Sequence, residues 1–158
     1  PTEIEIENIE IKEIHGDGWF KSYMDPVSIT SKSSDQYKYK HLYTADENGL
    51  YKYKDMYVVA MSEKHFKVAD QVIITFDDGV EIKCFIGDVK SMHDKNFNGL
   101  GHVHKVKYAN GEVKEHTSIV EFFVDKNNLA DINKKLGRVN KIISDGNVIE
   151  IKKIIEAN

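Results

Sequence analysis

Apolar residues alternate with charged and polar ones over most of this chain. That two-residue period belongs to half-buried strands. Isoleucines stand at positions 4, 6, 9, 11 and 14 between glutamates. Their spacings of two and three predict a strand with a bulge near Glu7-Asn8, where the parity changes. Residues 16–26 read as a turn, a short aromatic segment and a proline stop. Over residues 36–43, Tyr37, Tyr39 and His41 alternate with lysines, which predicts a half-buried strand ending in the turn 46–49. Residues 56–61 form a continuous apolar run, the mark of a fully buried strand. Asp77-Asp78-Gly79 between 71–76 and 80–86 predicts a hairpin, as does Asn110-Gly111 between 103–108 and 112–116. Residues 118–124 predict another buried strand, with Ile119, Glu121 and Phe123 on one face and Val120, Phe122 and Val124 on the other. The one helix expected is 127–136, Asn-capped and ended by Gly137, with Leu129, Ile132 and Leu136 on its core face. A last hairpin is expected at Asp145-Gly146, with Val148, Ile149 and Ile151 leading to the chain end. These elements sum to a mainly β protein, a small barrel or sandwich.

Composition narrows the classes. In 158 residues there are 26 acidic and 22 basic side chains, for a net charge of −4. Bulk positive charge is therefore absent, and no nucleic-acid partner is expected. The single cysteine, Cys84, has no second thiol in the chain, so the chain carries no internal disulfide. Buried in the strand 80–86, it reads as a structural residue rather than a nucleophile. No apolar run approaches the roughly 18 residues of a membrane span. No basic-then-apolar signal opens the chain, so the expectation is a soluble protein with no membrane insertion, made in the cytoplasm without a signal peptide.

Three groups of residues could carry chemistry. His102 and His104 fall on one face of a strand, and His116 lies across the predicted hairpin. With His93 nearby in sequence, these are weak candidates for a metal cluster, set against a reading as solvated histidines. The carboxylates are the second group. Asp88 ends a strongly apolar strand, and Glu121 interrupts the apolar run 118–124. Glu121 is either an exposed-face residue or an acid held in a cleft, where burial would favour its protonated form. Third, tyrosines dense in the first 60 residues alternate with lysines, as in YKYK at 37–40 and 51–54. Saccharide grooves, protein interfaces and plain cross-strand packing all use such surfaces. No glycine pair follows a strand and opens a helix, so no phosphate loop and no cofactor is expected.

The strings VVAMS (58–62), VADQVIITFDDGVEIKCFIGDVKS (68–91) and SIVEFFVD (118–125) resemble the Asp-Asp-Asp double-psi β-barrel family, which includes murein lytic transglycosylases. The matching positions are Val59-Ala60, residues 70–74, Asp88 and Val120-Glu121-Phe122. The segment SSDQYKYKHLYTADENGLYK (33–52) and a histidine-bearing insertion are similar to a variant found in clostridial and phage tail-associated proteins. The resemblance spans residues 22–125. The chain departs from the family's pattern in having Ser62-Glu63 where the first aspartate falls, Val89-Lys90 in place of Gly-Gly, and Glu121 at the third aspartate.

The resemblance implies a six-stranded double-psi-like barrel over 22–126, with an insertion at 91–117. An N-terminal strand and turn (1–21) would precede it, and a helix and hairpin (127–158) would follow. It also implies a cell-wall-facing component of a phage or phage-like contractile particle that cleaves peptidoglycan glycan strands as a lytic transglycosylase. Glu121 would be the acid/base, and Asp88 would stabilise the oxocarbenium-like state. Delivery inside such a particle would need no signal peptide. The competing expectation is a non-enzymatic tail, hub or baseplate component that uses the barrel for assembly with other tail proteins. In that case the Ile/Glu-rich end strands would dock onto neighbours.

Overall fold

The computed structural model describes residues 4–9, 16–91 and 101–156. Among these the protein is mainly β. A mixed sheet runs in the order β1-β11-β6-β7-β5-β10-β2, and a separate two-stranded sheet pairs β8 with β9. In chain order the strands are β1 (Ile4–Ile9), β2 (Ser22–Met24), β3 (Thr44–Ala45), β4 (Tyr51–Tyr53), β5 (Met56–Ser62), β6 (Gln71–Phe76), β7 (Glu81–Lys90), β8 (His102–Lys107), β9 (Val113–Ser118), β10 (Glu121–Phe123) and β11 (Val148–Glu156). Short helices α1 (Asp35–Lys40), α2 (Asp131–Leu136) and α3 (Asn140–Ile143) lie between them. Among the described residues the strand path is open, with β1 and β2 at its ends and no closed barrel.

Most pairs are antiparallel, as the Asp-Gly and Asn-Gly turns require. The hairpins β6–β7 and β8–β9 both form. Two pairs are parallel, β5 with β7 and β10 with β2. They bring together segments distant in sequence, and no local signal announces them. The apolar run of β5 is buried on both faces because it has neighbours on both edges and a core on each side. Val59 and Met61 join the larger cluster with Ile74, Ile86 and Phe122. Met56, Val58 and Ala60 join a smaller one with Tyr43, Phe85 and Phe123.

Several expectations are corrected. Residues 36–43 do not form a strand, because Ser34 caps a helix there by accepting the N–H of Tyr37. The helix then packs Tyr39 edge-on against Phe85, with ring centroids 5.4 Å apart. The β1–β11 register runs unbroken from Ile4↔Glu156 to Ile9↔Ile151, so no bulge forms at Glu7-Asn8. Positions 11 and 14 of the predicted strand lie outside the described residues. The two end strands pair with each other rather than standing free.

The expected helix 127–136 divides into a 3-10 turn (Lys126–Asn128) and α2. Asn133 is buried there and Ile132 is 50% exposed. The Asp145-Gly146 turn follows α3 rather than a strand, and β11 pairs with β6 and β1 instead of with a hairpin partner. The buried strand expected over 118–124 bends between β9 and β10, so Ile119 packs with Val120, Phe122 and Val124 in the larger cluster.

Candidate functional site

Gly87 decides which way Asp88 points. In the β5–β7 pairing the register steps from Val59↔Ile86 to Ala60↔Asp88, leaving Gly87 as an extra residue. Without that bulge Asp88 would face the opposite side of the sheet, because a one-residue slip inverts every side chain. A Cβ on Gly87 would collide with the Val58 side chain and crowd the Phe123 ring, so the close approach needs glycine.

The bulge places two acids in one row. Ala60 pairs with Asp88 on one side and with Glu121 on the other, and Glu121 in turn pairs with Ser22. Register partners share a face, so Asp88 and Glu121 emerge on the same side. Their backbones are two strand spacings apart, roughly 10 Å. Ala60 between them is buried in that row. Both sequence-predicted acids therefore come together, beside the smaller core cluster.

Their surroundings differ. Asp88 Oδ1 accepts from the Gln36 amide at 3.1 Å and from the Val89 N–H at 2.9 Å. It borders a shallow open cleft of about 270 Å³ lined also by Ser28, Thr30, Ser31, Ser34 and Gln36. Glu121 Oε2 lies 3.8 Å from the ammonium of Lys90, whose side chain is almost fully buried. Lys90 shares a face with Asp88 because it lies two residues further along β7. Glu121 is thus neither fully exposed nor walled by apolar groups, but paired. Beside the row, Ser22 and Ser118 hydroxyls meet at 2.5 Å. Burial raises the phenol of Tyr43, with smaller contributions from Tyr39 and Asp88.

The histidines take separate partners. His104 and His116 are cross-strand neighbours in β8–β9. His104 stacks flat on Phe20, with centroids 4.0 Å apart. Burial lowers its affinity for a proton, helped by nearby Lys90 and His102. His116 bonds to Asp17 and Tyr108 instead. Among the described residues no three His, Cys, Asp or Glu side chains are placed to hold a metal. His93 lies outside them. Cys84 is fully buried, and burial pushes its thiol up, as expected of a structural residue.

Sequence reasoning missed Gly87, Lys90 and Gln36. A glycine inside an apolar strand is a recognised bulge signal, and period two places Lys90 beside Asp88. No local signal pointed to Gln36, since its helix was read as a strand. Among the described residues no helix is long and apolar enough to cross a membrane. No protein-family model, curated protein or solved structure matches the chain.

Proposed function

We propose that the chain is a cell-wall-facing component of a phage or phage-like tail that cleaves peptidoglycan glycan strands, and that its sheet is a variant of the double-psi barrel. The single observation that carries the catalytic part is the row Asp88–Ala60–Glu121, two carboxylates facing one side of the sheet across a small residue. The two parallel pairs, β5–β7 and β10–β2, support the barrel reading. The tail and wall assignments rest on the sequence resemblance.

The surroundings support exchanging the roles expected from the sequence. Asp88 borders the hydroxyl-lined cleft where a sugar ring would lie, and both its described hydrogen bonds fall on Oδ1. Its Oδ2 is therefore the atom that protonates the glycosidic oxygen. The same oxygen then takes the proton of the sugar's own hydroxyl as that hydroxyl closes onto the anomeric carbon, yielding an anhydro-sugar and a shortened strand. Glu121, engaged by Lys90, acts electrostatically beside the developing cation.

The test is digestion of purified sacculi followed by mass spectrometry of the soluble muropeptides. Anhydro-muramyl products are expected, reduced about 100-fold or more in Asp88→Asn and less in Glu121→Gln. Reducing-end products would replace lytic closure with hydrolysis. An absence of products under conditions where a control enzyme works would overturn the catalytic reading. A structural role in assembly would then stand, and one observation favours it: the edge strand β1 leaves Ile6 half exposed, where a neighbouring subunit could cover it.

A further inference from the structure

Away from the Asp88–Glu121 row, three side chains form a continuous hydrogen-bonded chain. Asp17 Oδ1 accepts the backbone N–H groups of Trp19 and Thr117, each at 3.1 Å. This aims Oδ2 at His116 Nδ1, 2.5 Å away. A carboxylate can only accept, so Nδ1 carries an N–H, and in the neutral ring Nε2 then holds a lone pair. The Tyr108 hydroxyl lies 2.6 Å from Nε2, placed to donate to the neutral ring. Burial works against the Asp17 anion, but the donors from Trp19, His116 and Thr117 outweigh it and hold the carboxyl below its usual range.

The geometry around this chain is fixed from several sides. Trp19 packs on the imidazole with ring centroids 4.4 Å apart, which holds the ring plane. The Lys114 ammonium lies 5.3 Å from the centre of the Tyr108 ring. Strand register puts His116 opposite His104, and Tyr108 follows the end of β8 four residues beyond His104 on the same face. Tyr108 is only half-buried, so reagents can reach it. A hydroxyl bonded to a base, with the base bonded to an orienting carboxylate, is the arrangement that activates a weak oxygen nucleophile.

We propose that Tyr108 is a base-activated nucleophile whose partner is a phosphoryl electrophile. The phenolic oxygen forms a bond to phosphorus, and the bond from phosphorus to its leaving group breaks, with the electron pair departing on that group. The phenol proton passes to His116 Nε2. A phenolic oxygen is a hard nucleophile, which suits phosphorus over softer carbon electrophiles. Asp17 is a positioning residue here, since it acts through His116.

The experiment treats the full chain with a dialkyl fluorophosphate and follows the labelling rate of each of the eight tyrosines by peptide mass spectrometry. Tyr108 should react much faster than half-buried Tyr37. The Tyr108-to-Tyr37 ratio should fall about 100-fold in His116→Phe, which keeps an aromatic ring against Trp19 but removes the base. Asp17→Asn should lower the ratio less. A merely structural role for these bonds would change the melting temperature and leave the ratio unaltered. Equal rates at Tyr108 and Tyr37 in the unmodified sequence overturn the proposal, even where the variants fail to fold. So does an unchanged ratio in a folded His116→Phe.

Discussion

Among the described residues Lys21 is one of the largest fully buried side chains, and it is a cation. Its ammonium donates to the carbonyl of Trp19 at 2.8 Å and to that of Gly146, and lies 4.6 Å from the centre of the Phe76 ring. Asn140 braces the same corner, accepting the Lys21 N–H and donating to Trp19 O. Burial lowers the Lys21 pKa to about 8, against the opposing pull of Asp78, Asp145, Asp17 and Asp77. Between pH 8 and the unfolded value of 10.5 the unfolded chain therefore holds this proton more firmly than the native one. Stability contributed by Lys21 rises with pH across that window.

Cys84 and Tyr43 act in the opposite direction, because burial raises both. Their unfolded forms ionise from about pH 9 and 10 upward, so the Lys21 effect is clearest between pH 8 and 9. Urea unfolding should show a gain of at most about 1 kcal/mol over that pH unit, absent in Lys21→Met. A flat profile in the unmodified protein would show that Lys21 is not held as described.

At the scale of elements, a few local devices aim the site. The helix α1 exists because Ser34 caps it, and it brings Gln36 to Asp88 and Tyr39 to Phe85. Replacing Ser34 with alanine should cost about 1 kcal/mol, read from the shift in denaturant midpoint. The bulge at Gly87 matters more. Gly87→Ala should cost about 1–3 kcal/mol through the collision with Val58 and Phe123. It should also impair any activity of Asp88 more than Ser34→Ala does. Equal stability of Gly87→Ala and the unmodified protein would mean that the bulge tolerates a side chain.

Residues Asp35–Lys40 are helical despite a strand-like alternation of tyrosine and lysine. Tyr37 and Tyr39 alternate as they would on a strand, but a cap hydrogen bond and packing of one tyrosine on a neighbouring sheet outweigh that pattern. The hairpin turns were legible because Asp-Gly and Asn-Gly satisfy a local requirement for positive φ at Gly79 and Gly111.

At the scale of the molecule, among the described residues the β8–β9 hairpin belongs to no larger sheet, and side chains dock it. Phe20 stacks on His104, and the Gly18 N–H bonds to the Thr117 hydroxyl at 2.8 Å. Because burial lowers the proton affinity of His104, the unfolded or undocked form takes up a proton first on acidification. Its contribution is complete above about pH 6.5 and is lost as pH falls through that value toward the lower folded one. Hydrogen exchange should therefore show β8–β9 losing protection between pH 7.5 and 5.5 ahead of β5 and β6. His104→Phe should blunt that dependence, and a uniform loss across all strands would place the acid sensitivity elsewhere.

The sequence by itself determined the β character, both Asp/Asn-Gly hairpins and the burial of β5, because each depends on residues adjacent along the chain. It also singled out Asp88 and Glu121, since a carboxylate within an apolar run is visible without any structure. Only the tertiary structure decided that β5 and β7 run parallel, that β1 closes onto β11, and that the two acids share a face across Ala60. Those outcomes follow from pairings between distant segments and from one extra residue in a register, and neither is encoded in a local period. The relay from Asp17 through His116 to Tyr108 arose in the same way, from segments that meet only when the hairpin docks.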